Sequence, residues 1–335
     1  MEKYSINIDS LKNLVVELIE KNWNVVSSER SGIRYSTLKD ANDFYISSKT
    51  KPSNISVKQF FFPKTEPLFF FKKEENGIIL ADPVFAEENN LLLGIKPCDA
   101  AAIPIISKVF NWDYKDEFFN KRVENSVVIG LSCNYQDSEC FCTSVGLSQS
   151  STKGSDIFFS TVDDNNFEVQ VVTEKGKKFI EVNKKYFAPL ENESPIKDAY
   201  PPKFEYLKAK EWLDKNFENE YWNKAGELCL GCAQCAFVCP TCHCFDIVDE
   251  DCGYDCGRRV KNWDACQFGL FTKHASGHNP RDVQTKRYRQ RVNHKFKYYM
   301  DKFDEILCTG CGRCSRGCPA GINIGNIVEE ISSLH

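Results

Sequence analysis

Apolar residues recur along the chain with two different periods. Leu11, Leu14, Val15, Leu18 and Ile19 follow i, i+3, i+4, i+7, i+8 and predict one helix face near the N-terminus. Asp9 or Ser10 is the expected cap. NLLLGI (90–95) and SVVIGL (126–131) are short continuous apolar runs ending at glycine-containing turns, the pattern of buried strands. DAAAIPIISKVF (99–110) reads as a helix crossing between them. Strand, helix, strand predicts a parallel pair in an α/β domain. FEVQVV (167–172) alternates as a half-buried strand does.

ENESPIKDAYPPK (191–203) is rich in proline and charge and marks a linker between a 1–190 α/β domain and a 204–335 domain. Residues 204–228 look helical, with Phe204, Leu207, Trp212 and Leu213 among charges. Further on, Tyr288, Val292, Phe296, Tyr299 and Phe303 form one apolar helical stripe. Lys286, Arg287, Arg289, Arg291, Lys295 and Lys297 cover the rest of that helix. They read as a solvated face, or as a positive field near anionic groups. His294 reads as a surface residue.

Composition narrows the function classes. The 335 residues carry a net charge of −4, which argues against nucleic acid as a partner. No apolar run approaches the roughly 20 residues of a membrane span, and MEKYSINIDSLKN lacks a signal-peptide stretch. A cytoplasmic protein is expected. The 17 cysteines are many, yet a disulfide framework belongs to small secreted chains. Metal ligation is the better reading.

The cysteines cluster. Residues 229–240 read CLGCAQCAFVCP and residues 308–319 read CTGCGRCSRGCP. Each copy is C-x2-C-x2-C-x3-C-P, the ligation run of paired [4Fe–4S] clusters, in which the fourth cysteine serves the other cluster. Three closely spaced thiols wrap one cluster, and backbone N–H groups of the loop offset its charge. Proline after the fourth cysteine suits the first turn of a departing helix. The expected sets are Cys229, Cys232, Cys235 and Cys318 for one cluster, and Cys308, Cys311, Cys314 and Cys239 for the second. Gly231, Ala233, Gly310 and Gly312 leave room for close approach. Zinc knuckles space their ligands differently.

Cys98 and Cys133 each lie just past an expected strand, and Cys140 and Cys142 follow in the next loop. Parallel neighbouring strands would put them on one rim, where open α/β sheets collect ligands. A third iron–sulfur site is expected there; buried inert thiols and zinc are the alternatives. Cys242, His243, Cys244, Cys252, Cys256 and Cys266 suit either a further cluster, helped by His274 or His278, or packing beneath the cluster loops.

GIKPCDAAAI, GLSC, CFCTSVG, CPTCHCFD, WDAC, SGHNPR, RQRVNHKF and CTGCGRCSRGCPAGI occur in this order over residues 94–323. In this the chain resembles the iron–sulfur protein family to which the sulfhydrogenase beta subunit belongs, together with the iron–sulfur component of anaerobic sulfite reductase. The resemblance implies a C-terminal, mainly helical, ferredoxin-like dicluster domain with a non-catalytic electron-transfer role. It also implies two partners: a flavin-containing input subunit, then a hydrogenase or sulfite reductase at the terminal end. Cys252 and Cys256 depart from the family pattern. The rival reading is a flavin-binding oxidoreductase similar to coenzyme-reducing hydrogenase beta subunits. No G-x-G-x-x-G follows a strand. NGI (76–78) and KGSD (153–156) are too slight for phosphate loops.

Overall fold

The computed structural model describes residues 3–84, 88–190 and 199–334. Most of the expected linker, 191–198, lies outside the described residues. The strands are β1 Lys3–Asn7, β2 Asn24–Ser28, β3 Tyr35–Thr37, β4 Thr65–Glu74, β5 Gly77–Ala81, β6 Asn90–Ile95, β7 Ser126–Leu131, β8 Ile157–Thr161, β9 Asn166–Val171, β10 Ala188–Pro189, β11 Phe245–Asp251 and β12 Cys256–Trp263.

These strands divide between two sheets. Eight form a mixed sheet in the order β10-β1-β9-β8-β7-β6-β2-β3, in which β2, β6, β7 and β8 are parallel. The parallel pair expected at 90–95 and 126–131 is β6 and β7, with Leu92 opposite Val128. The strand expected at 167–172 is β9. Short helices Pro97–Ala100, Ala102–Phe110 and Glu117–Glu124 make the crossover. Helix Ile8–Glu20 buries Leu11, Leu14, Val15 and Leu18 against the sheet. Its cap is Asn7, not Asp9 or Ser10: the Asn7 side chain accepts from Ser10 N at 2.8 Å.

No local pattern announces the second sheet. It has four antiparallel strands in the order β11-β12-β4-β5. β4 and β5 form a hairpin in the first half of the chain, and NGI lies at its turn. β11 and β12 form a hairpin between the two cysteine copies. The C-terminal part thus carries one β-hairpin among its helices, and the two halves share one sheet. PLFFFKKEENGIILAD and FDIVDEDCGYDCGRRVKNW mix charge into both faces. These strands stand partly in water on both sides, so alternation is lost.

Helices Tyr206–Lys215 and Tyr221–Gly226 occupy the expected helical stretch. Phe204, Trp212 and Leu213 are buried there, whereas Leu207 is exposed. The apolar stripe lies on a long helix: Gln284–Asn293, one π-helical turn His294–Tyr298, then Tyr299–Phe303. It packs with Ile324–Ser333 into the C-terminal core. Phe141 and Val145 enter that same core from the loop after β7.

A buried ion pair ties the halves together. Arg313 Nη2 donates to Asp99 Oδ2 at 2.5 Å, and both side chains are almost wholly buried. Tyr35 Oη donates to the same carboxylate at 3.1 Å, and Arg313 Nε donates to Ser53 O. Removing one partner strands the other charge in the interior. Arg313→Leu should destabilise the holoprotein by about 3–5 kcal/mol; chemical unfolding of wild type and variant under anaerobic conditions measures it, and equal midpoints would contradict the pair's role.

Candidate functional site

The two cysteine copies fold alike. Cys229–Cys232 and Cys308–Cys311 turn through positive φ at Gly231 (69°) and Gly310 (61°), then at Ala233 (62°) and Gly312 (70°). Short helices follow at Gln234–Phe237 and Arg313–Arg316. Such left-handed positions turn successive N–H groups toward one concave side. Gly310 N donates to Cys308 Sγ at 3.4 Å, a contact of that kind. Ala233 adopts this conformation although alanine resists it by roughly 1–2 kcal/mol. The expectation that Pro240 and Pro319 begin helices is corrected: Cys239-Pro240 and Cys318-Pro319 lead into turns, because the chain must swing back toward β11 and toward helix Ile324–Ser333.

The structure brings cysteines of the two copies together. Cys229, Cys232 and Cys235 line one cavity of about 460 Å³ together with Cys318 from the far copy. Cys314 reaches the same wall. In the second set, Cys308 and Cys314 both sense the charge of Cys239. Burial pushes the Cys235 and Cys308 thiols up to about 12. Any metal bound by these thiols would have to displace those protons.

Cys98, Cys133, Cys140 and Cys142 also converge. They line a separate cavity of about 470 Å³ at the C-terminal rim of β6 and β7, and Cys311 joins them. Burial raises Cys140 to about 11 and Cys142 to about 12. The loop bearing them touches the second copy directly. Phe141 N donates to Gly310 O at 2.9 Å. A Cβ on Gly310 would stand 2.5 Å from Cys142 N and from Phe141 O.

The basic helix is not a solvated face. Arg291 and Lys295, one turn apart, are each 2% exposed and point among the cysteines. Arg291 Nη1 donates to Cys242 Sγ at 3.3 Å and its Nη2 to Cys235 O at 2.8 Å. Lys295 Nζ donates to Cys239 Sγ at 3.3 Å, Thr241 Oγ1 at 3.1 Å and Leu307 O at 2.9 Å. Burial pulls Lys295 down, but the sulfurs of Cys239 and Cys242 outweigh it and hold its pKa above normal. Lys295 lies in the π-helical turn beside buried Phe296. Lys286 and Lys297 do face outward, paired with Asp282 and Asp214. His294 is half-buried against His243, not a surface residue, with ring centroids 5.4 Å apart.

Two further cations escape a reading of the sequence. Lys58, 3% exposed, reaches from the first half to Cys242 O at 2.9 Å. Lys96, 4% exposed, sits beside Cys98 and Cys133 and donates to Ser47 O at 2.7 Å. Burial lowers both, Lys58 to about 8. The lysine within GIKPC is the visible signal for Lys96; nothing local marks Lys58. Among the described residues, none of Lys58, Lys96, Arg291 and Lys295 has a carboxylate ion-pair partner. Burying a charge costs several kcal/mol unless it is matched. Cavities walled by thiols and backed by such cations suit an anionic sulfur-ligated group.

Cys252 and Cys256, in contrast, join as a disulfide at the tip of the β11–β12 hairpin. His274 and His278 meet edge to face in the 274–278 turn and line none of the three cysteine-walled cavities. No helix among the described residues is long and apolar enough to cross a membrane.

These features define an iron–sulfur protein, and a family model described as a 4Fe-4S dicluster domain matches residues 228–322. Sulfhydrogenase 2 subunit beta of Pyrococcus furiosus is 31% identical over 283 residues, covering 82% of this chain and 82% of that protein. The chain belongs to the iron–sulfur subunit family of the sulfhydrogenase beta subunit. No solved structure matches it.

Contact between the second copy and the 139–142 loop yields a test. Gly310→Ala combines an unfavourable left-handed alanine with a backbone clash, and should lower stability by more than about 2 kcal/mol. Thermal unfolding of the anaerobic protein reads it; an unchanged transition would show that the two loops part freely.

Proposed function

We propose that this chain is an electron conduit inside a larger oxidoreductase. It would relay single electrons between a terminal hydrogenase or sulfite reductase and a flavin-linked input subunit. The observation that carries this is the row of cysteine-lined spaces joined by the second copy: Cys314 borders the first cavity and Cys311 the rim cavity.

Cys229, Cys232, Cys235 and Cys318 hold one [4Fe–4S] cluster; Cys308, Cys311, Cys314 and Cys239 hold the next; Cys98, Cys133, Cys140 and Cys142 hold a third. Such clusters, once bound, accept and release one electron at potentials set by charge, hydrogen bonds and exposure. The protein's part is to fix them in order, second between first and third, and to meet the added negative charge. Arg291 serves the first set, Lys295 the second, Lys96 and Arg316 the third; Arg316 Nη2 lies 3.5 Å from Cys140 Sγ. A cation near a cluster favours its reduced state. The terminal partners rest on the family relation; the relative's name makes it a subunit of a sulfhydrogenase.

Anaerobic purification followed by a visible spectrum and iron analysis tests the conduit. The expected result is broad iron–sulfur absorbance without flavin bands, and extractable flavin would overturn it. Cys133→Ser should remove about four iron per chain; unchanged iron would eliminate the rim site. Cys318→Ser should perturb the cluster bound by the 229–235 loop and spare the one bound by the 308–314 loop. Resolving the two reduced-state EPR signals checks this, and loss at the nearer loop would refute the crossed ligation.

A further inference from the structure

Cys242, Cys244 and Cys266 belong to none of these sets, yet the fold assembles them. Cys244 stands just before β11 and Cys266 just after β12. Because those strands pair with Phe245 opposite Trp263, both cysteines meet at the open base of the hairpin. Asp264 N donates to Cys244 O at 3.0 Å, and the side chains of Cys244 and Cys266 border the same space. Cys242 and Cys266 are buried. With His243, Arg291 and Lys295 the three thiols line a cavity of about 260 Å³.

Two observations say what kind of group suits it. First, the cavity wall carries two interior cations with no carboxylate partner among the described residues, and Arg291 is already on Cys242 Sγ. A set of thiolates supplies the missing negative charge. Second, three thiols and one imidazole border the same space, a donor set of soft sulfur and nitrogen that suits iron.

His243 completes the donor set. Its Nδ1 lies 3.1 Å from Thr241 O. A carbonyl only accepts, so Nδ1 carries the proton and Nε2 keeps a free lone pair. That is the arrangement of a metal-ligating imidazole oriented by a backbone carbonyl.

We infer that Cys242, Cys244, Cys266 and His243 Nε2 hold an additional [4Fe–4S] cluster, with three thiolates and one imidazole. The inference rests on the reading that this chain binds clusters, but not on the rim site. The cluster lies beside the second set, since Lys295 touches Cys239 and also lines this cavity. Arg291 lines this cavity and the first one. The row of centres thus gains a side branch at its middle, a point where electrons can enter or leave apart from the two ends.

The test uses the full chain prepared anaerobically. Native mass spectrometry counts clusters, while iron, zinc and acid-labile sulfide are measured in parallel. Cys244→Ser and Cys266→Ser should each lose one cluster, about four iron and four sulfide, and keep the rest. An unchanged count overturns the inference, as does loss of zinc in place of iron. Should both serine variants fail to fold, His243→Cys decides: it keeps a fourth ligand, so the count should hold while nitrogen hyperfine coupling disappears from the pulsed EPR of the reduced protein. Wild-type protein without any such coupling would also overturn it. A wild type lacking all clusters would instead sink the conduit, and an unchanged Cys133→Ser protein only the rim site.

Discussion

Buried positive charge facing sulfur is the constraint around which this molecule is organised. Lys58, Lys96, Arg291 and Lys295 lie in the interior, and each is satisfied by carbonyls, hydroxyls or cysteine sulfur. Four ions without carboxylate partners would be prohibitive in an ordinary core. They become favourable where thiolates and iron–sulfur groups bring negative charge of their own. Folding and cluster assembly are therefore linked, because a bound cluster adds negative charge beside cations that folding has already buried.

The two halves of the chain meet at the same place. Asp99 follows Cys98, and Arg313 precedes Cys314, so their ion pair clamps the rim loop to the second copy. The Phe141–Gly310 hydrogen bond does the same from the other side, and Phe141 anchors in the C-terminal core. The shared β4–β12 pairing adds a third tie. Electron transfer demands centres held close in fixed geometry. Here the Asp99–Arg313 pair and the Phe141–Gly310 bond hold the rim cysteines against the second copy.

Much of this is legible in the sequence. Local rules suffice for β6 and β7, whose buried runs and crossover admit one handedness, and hence for the common rim of Cys98 and Cys133. The repeated C-x2-C-x2-C-x3-C-P spacing specifies two like loops, because three thiols at that interval can only wrap a compact body. Helix periodicity finds the Tyr288–Phe303 stripe.

The tertiary structure decided what no local pattern encodes. Arg291 and Lys295 look like a polar helix face until a second apposed wall, made of cysteine loops, covers them; burial of charge depends on what lies opposite, and that is set by distant chain. Likewise β4, β5, β11 and β12 are recognisable only once paired, since exposure on both faces removes their alternation. Cys244 and Cys266 become neighbours only when the hairpin closes. Sequence determined the thiols and their spacing; the fold alone determined which cations answer them.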